Sequence, residues 1–360
     1  MGGEAVGRWG GGAAGGGRPR AGRAGPAGRS LRWRRAAEVG AEVVLSSCGR
    51  KCRGRVVGSL PGVRRLGVRL RSRGSGCAYA GAVSIEVAVR AEAVLGGAPT
   101  WDHASGTLLW VDVLGSEVHR YSPGRGDDAV LAVPQHVGAA KPRARGGLVM
   151  NLRDGVALVD EDGAKTWLVY WARDGYRSSD AAVDAAGRLW AGTARYDGEP
   201  AGWLARVEPN GDAKVVLNGV GAGNGIGWSP DGALLYHADS AARRVDVLDF
   251  DRDSGDATNR RVVAEVDRGR PAGLCVDASG AIWVALPGGA AVRRYAPDGR
   301  LDAEVELPVG QPTACAFGGH DFTDLYVTTA RAGDAPGELA GSVLVVPGAG
   351  EGQPSTAFAG

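Results

Sequence analysis

Residues 221–240, GAGNGIGWSPDGALLYHADS, hold one complete copy of the unit from which most of this chain is built. Trp228 is followed by Ser-Pro-Asp-Gly at 229–232 and then by Leu234, Leu235 and Tyr236. Proline presets φ and glycine supplies a positive φ, so the stretch reads as strand, tight turn, strand. Arg243 to Phe250 (RRVDVLDF) then alternates and runs into the turn-rich DRDSG, which makes a second hairpin. The unit is a small antiparallel meander.

Beyond Val83 the unit recurs six times. A turn with Gly or Asp leads into two or three apolar residues and usually an aromatic: SGTLLW ending at Trp110, RGGLVM at Met150, AGRLW at Trp190, DGALLY at Tyr236, SGAIW at Trp283 and FTDLY at Tyr326. The end residues are 40, 40, 46, 47 and 43 apart, and periods in the forties with short strands mark propeller blades. A second alternating run follows each copy, such as SEVHRYSPG at 116–124 and AAVRRYAPDG at 290–299. Six units of about four strands predict an all-β, six-bladed β-propeller of antiparallel blades over residues 83–350. The segment VSIEVAVRA at 83–91 alternates but precedes the first unit; it is expected to close the ring by pairing with the last blade, removing an exposed edge. Trp110, Trp190, Tyr236 and Trp283 share one phase of the repeat and read as packing between blades. Asp102, Asp184, Asp231 and Asp277, in the turns, read as caps on backbone N–H groups.

Ahead of the repeats the chain changes character. Residues 1–82 carry 17 Lys and Arg against 3 Asp and Glu, which leaves 25 against 37 for residues 83–360. The whole-chain charge of +2, with 44% hydrophobic and 23% charged residues, conceals that split. A piece rich in Gly, Arg and Ala with few large apolar residues cannot offset chain entropy by burial, so 1–82 is expected to be a disordered basic extension. Residues 351–360 are expected to be a flexible tail. A GC-rich reading frame gives the extension's composition by default, so translation could begin later, at Val83. An arginine-rich arm can bind nucleic acid by charge alone, whereas the acidic balance of 83–360 argues against nucleic acid for the globular part. The apolar run from Ala36 to Leu45 is broken by Glu38 and Glu42, so no signal peptide is read, and no segment is long enough to span a bilayer. Cys48, Cys52 and Cys77 lie in the extension with no second ligand pair for zinc, while Cys275 and Cys315 sit in apolar strand contexts as small core residues. This usage points to a cytoplasmic protein with no membrane partner.

Propellers place function at one mouth of the central channel, where each blade's innermost strand begins. Counting back from the end residues brings Gly97 to Thr100, Ser179 with Asp180, Asn224, Ala272 with Gly273, and Thr313 to one axis. His237 follows Tyr236 on a strand and is expected to face solvent or a neighbouring sheet. The other histidines show no paired ligand spacing, and nothing resembles a Ser-His-Asp set or a phosphate loop.

From Ser84 to about Gly341 the chain resembles the senescence marker protein, gluconolactonase and luciferin-regenerating enzyme (regucalcin-like) family. The resemblance is carried by GGAPTWD at 96–102, LWVDVLGSEVHRY at 109–121, RSSDAAVDAAGRLWAGT at 177–193, GNGIGWSPDGALLYHADS at 223–240, RPAGLCVDASGAIWVA at 270–285 and QPTACAFGGHDFTDLYVTTAR at 311–331. It implies a six-bladed propeller with a divalent cation (Ca, Zn, Mn or Mg) on the channel axis, held by a Glu, an Asn and an Asp. The chemistry it implies is lactone hydrolysis: the ion polarises the carbonyl and activates a water, with the Asp as base. The Asn position is Asn224, the Glu position is Gly97 and the Asp position, which is also the base position, is Ala272. The family's substrate stretch falls on Arg177, Ser179 and Asp180, its Asn replaced by Ser179, and Asp197 falls where some relatives place a substrate-contacting acid. Hard dications want several oxygen ligands and negative charge, which Gly97 and Ala272 do not supply. Two readings follow: a protein that binds a small sugar lactone, sugar acid or polyol through a degraded metal site, or an active metal-dependent hydrolase of a sugar lactone or related ester in which Asp180, Asp197 or another channel acid replaces the missing groups.

Overall fold

Short alternating runs broken by Gly, Pro and Asp leave the chain no helical period. In the computed structural model every regular element among the described residues is a strand. The structure describes residues 34–35, 66–72, 82–331 and 337–360. Six four-stranded antiparallel blades follow one another over residues 96–132, 137–170, 176–220, 223–265, 274–306 and 312–346, the last completed by Ala82–Val89. The first strand of each blade abuts the first strands of the blades on either side, so six first strands enclose an axis.

The ring closes as the sequence predicts. Ala82–Val89 pairs with Val343–Val346, with Val345 opposite Glu86 and Leu344 opposite Val87. The last blade is thus built from both ends of the propeller sequence. Of the N-terminal extension, Arg34–Arg35 pairs with Asp127–Ala132, and Leu66–Ser72 lies between Leu301–Glu306 and Ala82–Val89. The rest of the extension, with Cys48, Cys52 and Cys77 and the disorder expected of it, lies outside the described residues.

The hydrophobic core lies between neighbouring blades rather than at the centre. Trp190 of the third blade is fully buried and meets Trp228 and Phe250 of the fourth edge-on, at 5.9 and 5.7 Å between ring centres. Trp283 meets Phe317 of the sixth blade, and Trp101 stacks on Tyr326 across the junction of first and last blades. The turn aspartates cap as expected, and two of them do more: Asp184 and Asp277 also accept the indole N–H of Trp190 and Trp283, each at 2.9 Å. A carboxylate in the turn thereby fixes the aromatic that packs the blade. Cys275 and Cys315 are free thiols with sulfurs 3.8 Å apart, on the first strands of the fifth and sixth blades.

The expectation of a flexible tail is corrected. Residues 351–360 form an ordered strap across the face on which the first strands end. Ala278 donates to the Glu351 carbonyl, Gly352 to that of Phe322, the Ser355 hydroxyl to that of Trp101, and Phe358 to that of Pro142. Ala359 reaches Gly187, so the strap touches five blades. Phe358 has no exposed surface and joins the core shared by the first three blades. A single large apolar residue in a polar, Gly-ended stretch anchors it, too little pattern for a sequence reading to detect.

Candidate functional site

Five of the six first strands break register against the second strand of their blade, between Gly97 and Thr100, Val137 and Ala139, Ser178 and Ala181, Asn224 and Ile226, and Pro312 and Ala314. A bulge inserts unpaired residues and re-aims their side chains, and here it recurs at one level of the ring. The backbone follows suit: Ala98 and Gly225 have φ of 47° and 68°, in the left-handed region. Gly138 shows how tight the convergence is, because a Cβ there would stand 2.0 Å from the Ser179 carbonyl oxygen.

Where the strands converge, a cavity of about 110 Å³ is lined by Gly97, Arg177, Ser179, Asp180, Asn224, Ala272, Gly273 and Thr313, among others. The sequence count therefore brings the intended positions together. Asp197 is the exception. It is exposed in the turn after Arg195, where it pairs with that arginine and accepts the Glu199 N–H, and it does not line the cavity. Capping its own turn and pairing with its neighbour hold it outward.

Asn224 is engaged at both ends of its amide. Ser179 Oγ donates to Asn224 Oδ1 at 2.5 Å, and Asn224 Nδ2 donates to Ser240 Oγ at 3.1 Å, which in turn donates to the Pro271 carbonyl. Asp180 accepts the N–H of Ala181 at 2.8 Å and of Gly225 at 3.2 Å. Burial pushes its carboxyl above the usual range, against the opposing effects of Lys141 and the two backbone donors. Arg177 donates to the Ser178 carbonyl, and burial lowers its pKa.

Three contributors were not assigned to the site from the sequence. Lys141, in VGAAKP of the second blade, is 6% exposed and donates to Thr100 Oγ1 at 2.5 Å and, weakly, to the Ala98 carbonyl at 3.4 Å. Burial lowers its pKa and Asp180 opposes that. Its signal was an isolated cation in an otherwise apolar inner strand. Asn151 is fully buried and donates to the carbonyls of Ser179 and Gly192 at 3.0 and 2.9 Å, pinning the bulge that carries Ser179 and Asp180. His136 and the Tyr196 hydroxyl pair at 2.6 Å near Arg177, and burial followed by Arg153 and Arg177 lowers the imidazole's pKa. Arg177 and Arg153, the latter paired with Asp154, thus act on the imidazole from the second- and third-blade side of the mouth.

A model described as the SMP-30/Gluconolactonase/LRE-like region matches residues 95–331. Regucalcin of Xenopus laevis is 34% identical over 260 residues, covering 69% of this chain and 87% of its own. The 6-deoxy-6-sulfogluconolactonase of Pseudomonas putida is 34% identical over 264 residues, covering 71% and 90%. The structure of a calcium-binding protein, regucalcin, from Agrobacterium tumefaciens superposes with a TM-score of 0.72 at 29% identity, covering 76% of this chain and 96% of that one. With residue pattern, ring geometry and channel convergence in agreement, this chain belongs to the SMP-30/gluconolactonase/LRE-like family.

Proposed function

We propose that the channel binds a small sugar lactone or sugar acid without a divalent ion. The observation that carries this reading is the state of the three positions where the family resemblance places metal ligands. Gly97 and Ala272 offer no side-chain oxygen, and the Asn224 amide oxygen already accepts the Ser179 hydroxyl. Among the described residues no three His, Cys, Asp or Glu side chains gather as a metal-binding group. One engaged amide and one carboxylate facing an ammonium do not fit a hard dication, which wants several oxygens and negative charge to offset dehydration. What remains suits a polyol: the Arg177 guanidinium donates, the Asp180 carboxylate accepts, and the Ser179 hydroxyl, its proton given to Asn224, accepts as well.

Calorimetric titration tests this. Calcium, manganese and zinc are expected to show no binding tighter than about millimolar, while an aldonate or its lactone binds and Arg177→Ala weakens it about tenfold or more. Micromolar ion binding abolished by Asn224→Ala would overturn the reading.

One observation favours a second reading, metal-free hydrolysis. Asp180 lines the cavity with a raised pKa, and a carboxylate made more basic is a better proton acceptor. Chelator-resistant lactone hydrolysis that Asp180→Asn removes would establish it.

A further inference from the structure

We propose that Lys141 is the fixed cation of this channel and that it makes the site select the anionic sugar acid over the neutral lactone. The inference rests on the reading of the channel as a metal-free small-molecule site.

The geometry begins behind the mouth. Asp180 and Ala314 line the mouth cavity and also a second cavity of about 270 Å³, which continues toward the strapped face. Lys141 lines that second cavity with Asp180, as do Trp101 and Phe317, and Gln353 to Thr356 of the C-terminal strap border it. An ammonium carries three N–H donors. Lys141 uses one well on Thr100 and a second poorly on the Ala98 carbonyl at 3.4 Å, so a donor is left for whatever occupies the cavity. Asp180 is not among its hydrogen-bond partners and acts on it through space.

Charge decides the preference. Of the charged side chains lining the two cavities, apart from the exposed Arg252, Lys141 and Arg177 are cationic and Asp180 anionic, a surplus of one positive charge. Glu at position 97 and Asp at 272 would have reversed that sign. A buried cation with a free donor stabilises a carboxylate by a charge-assisted hydrogen bond that a lactone carbonyl makes only in its weaker, neutral-acceptor form. The aldonate carboxylate is assigned to Lys141 and its hydroxyls to Asp180.

The experiment is calorimetric titration of the whole protein with D-galactonate and with D-galactono-1,4-lactone. Wild type is expected to bind the acid at least about tenfold more tightly than the lactone, the size of one hydrogen bond to a charged group. Lys141→Met and Lys141→Gln, checked for an unchanged fold by thermal melting, are expected to lose that preference through the acid alone, with lactone affinity moving less than about threefold. Equal binding of both by wild type overturns the inference, whether or not the variants fold, and so does a preference that survives in a folded variant. Binding of neither compound overturns the proposed function as well, which separates the two failures.

Discussion

His237 has no exposed surface, and neither ring nitrogen has a hydrogen-bond partner. Of the two orientations its strand position left open, the one against a neighbouring sheet is realised. Burial is the chief cause that drops its pKa to about 4, with Asp239, Arg260 and Asp246 adding smaller effects of both signs. The folded chain therefore holds it neutral where the unfolded chain, with an ordinary value near about 6.5, takes up a proton. Stability from this group is whole above that unfolded value and drains as pH falls toward 4, by about 3 kcal/mol in all. Urea unfolding at pH 7 and at pH 4 is expected to show that loss in wild type and its removal in His237→Leu; equal pH slopes in the two proteins would refute it. Lys141 is the cationic counterpart of the same lesson. A charged side chain in an apolar strand is legible as unusual, but which cavity it enters depends on bulges that no residue spacing announces.

At the level of elements, the repeat made the blades legible, since turn, apolar run and aromatic recur with the period of the fold. The bulges were legible only through their consequence, the shared phase of Gly97, Ser179, Asn224 and Thr313, because a break in register needs both strands to be seen. The strap was not legible at all. Its hydrogen bonds run to the backbones of five blades, which sequence pattern does not encode, and its single anchor is Phe358. Phe358→Ala is expected to cost about 3–5 kcal/mol, the range for emptying a fully buried aromatic site. Guanidinium unfolding measures it, and a loss below about 1 kcal/mol would mean that the strap contributes little to the ring. The first three blades share the core that Phe358 enters, so their amides should lose hydrogen-exchange protection before those of the fifth.

For the whole molecule, the ring supplies the convergence and the identity of a few axial residues supplies the charge, so the two are separable by mutation. Gly97 has room for a side chain: an added Cβ would meet only Val113 Cγ2, at an ordinary 3.6 Å. Neighbouring Gly96 has none, because its Cβ would stand 2.6 Å from the Thr329 carbonyl oxygen. Ala272 lines the same cavity at 4% exposure. Gly97→Glu with Ala272→Asp therefore places two carboxylates beside Asn224 and Asp180. Without an ion these acids repel in a poorly solvated space, and the double variant should melt below wild type. With calcium the repulsion becomes coordination, so the melting temperature should recover and calorimetric affinity should rise more than about 100-fold over wild type, since even outer partners of metal ligands are worth about 10 to 100-fold. Adding Lys141→Met should tighten the ion by about tenfold more, because a like charge leaves the channel. If the folded double variant binds calcium no better than wild type, carboxylates at 97 and 272 are not sufficient to form an ion site on this axis.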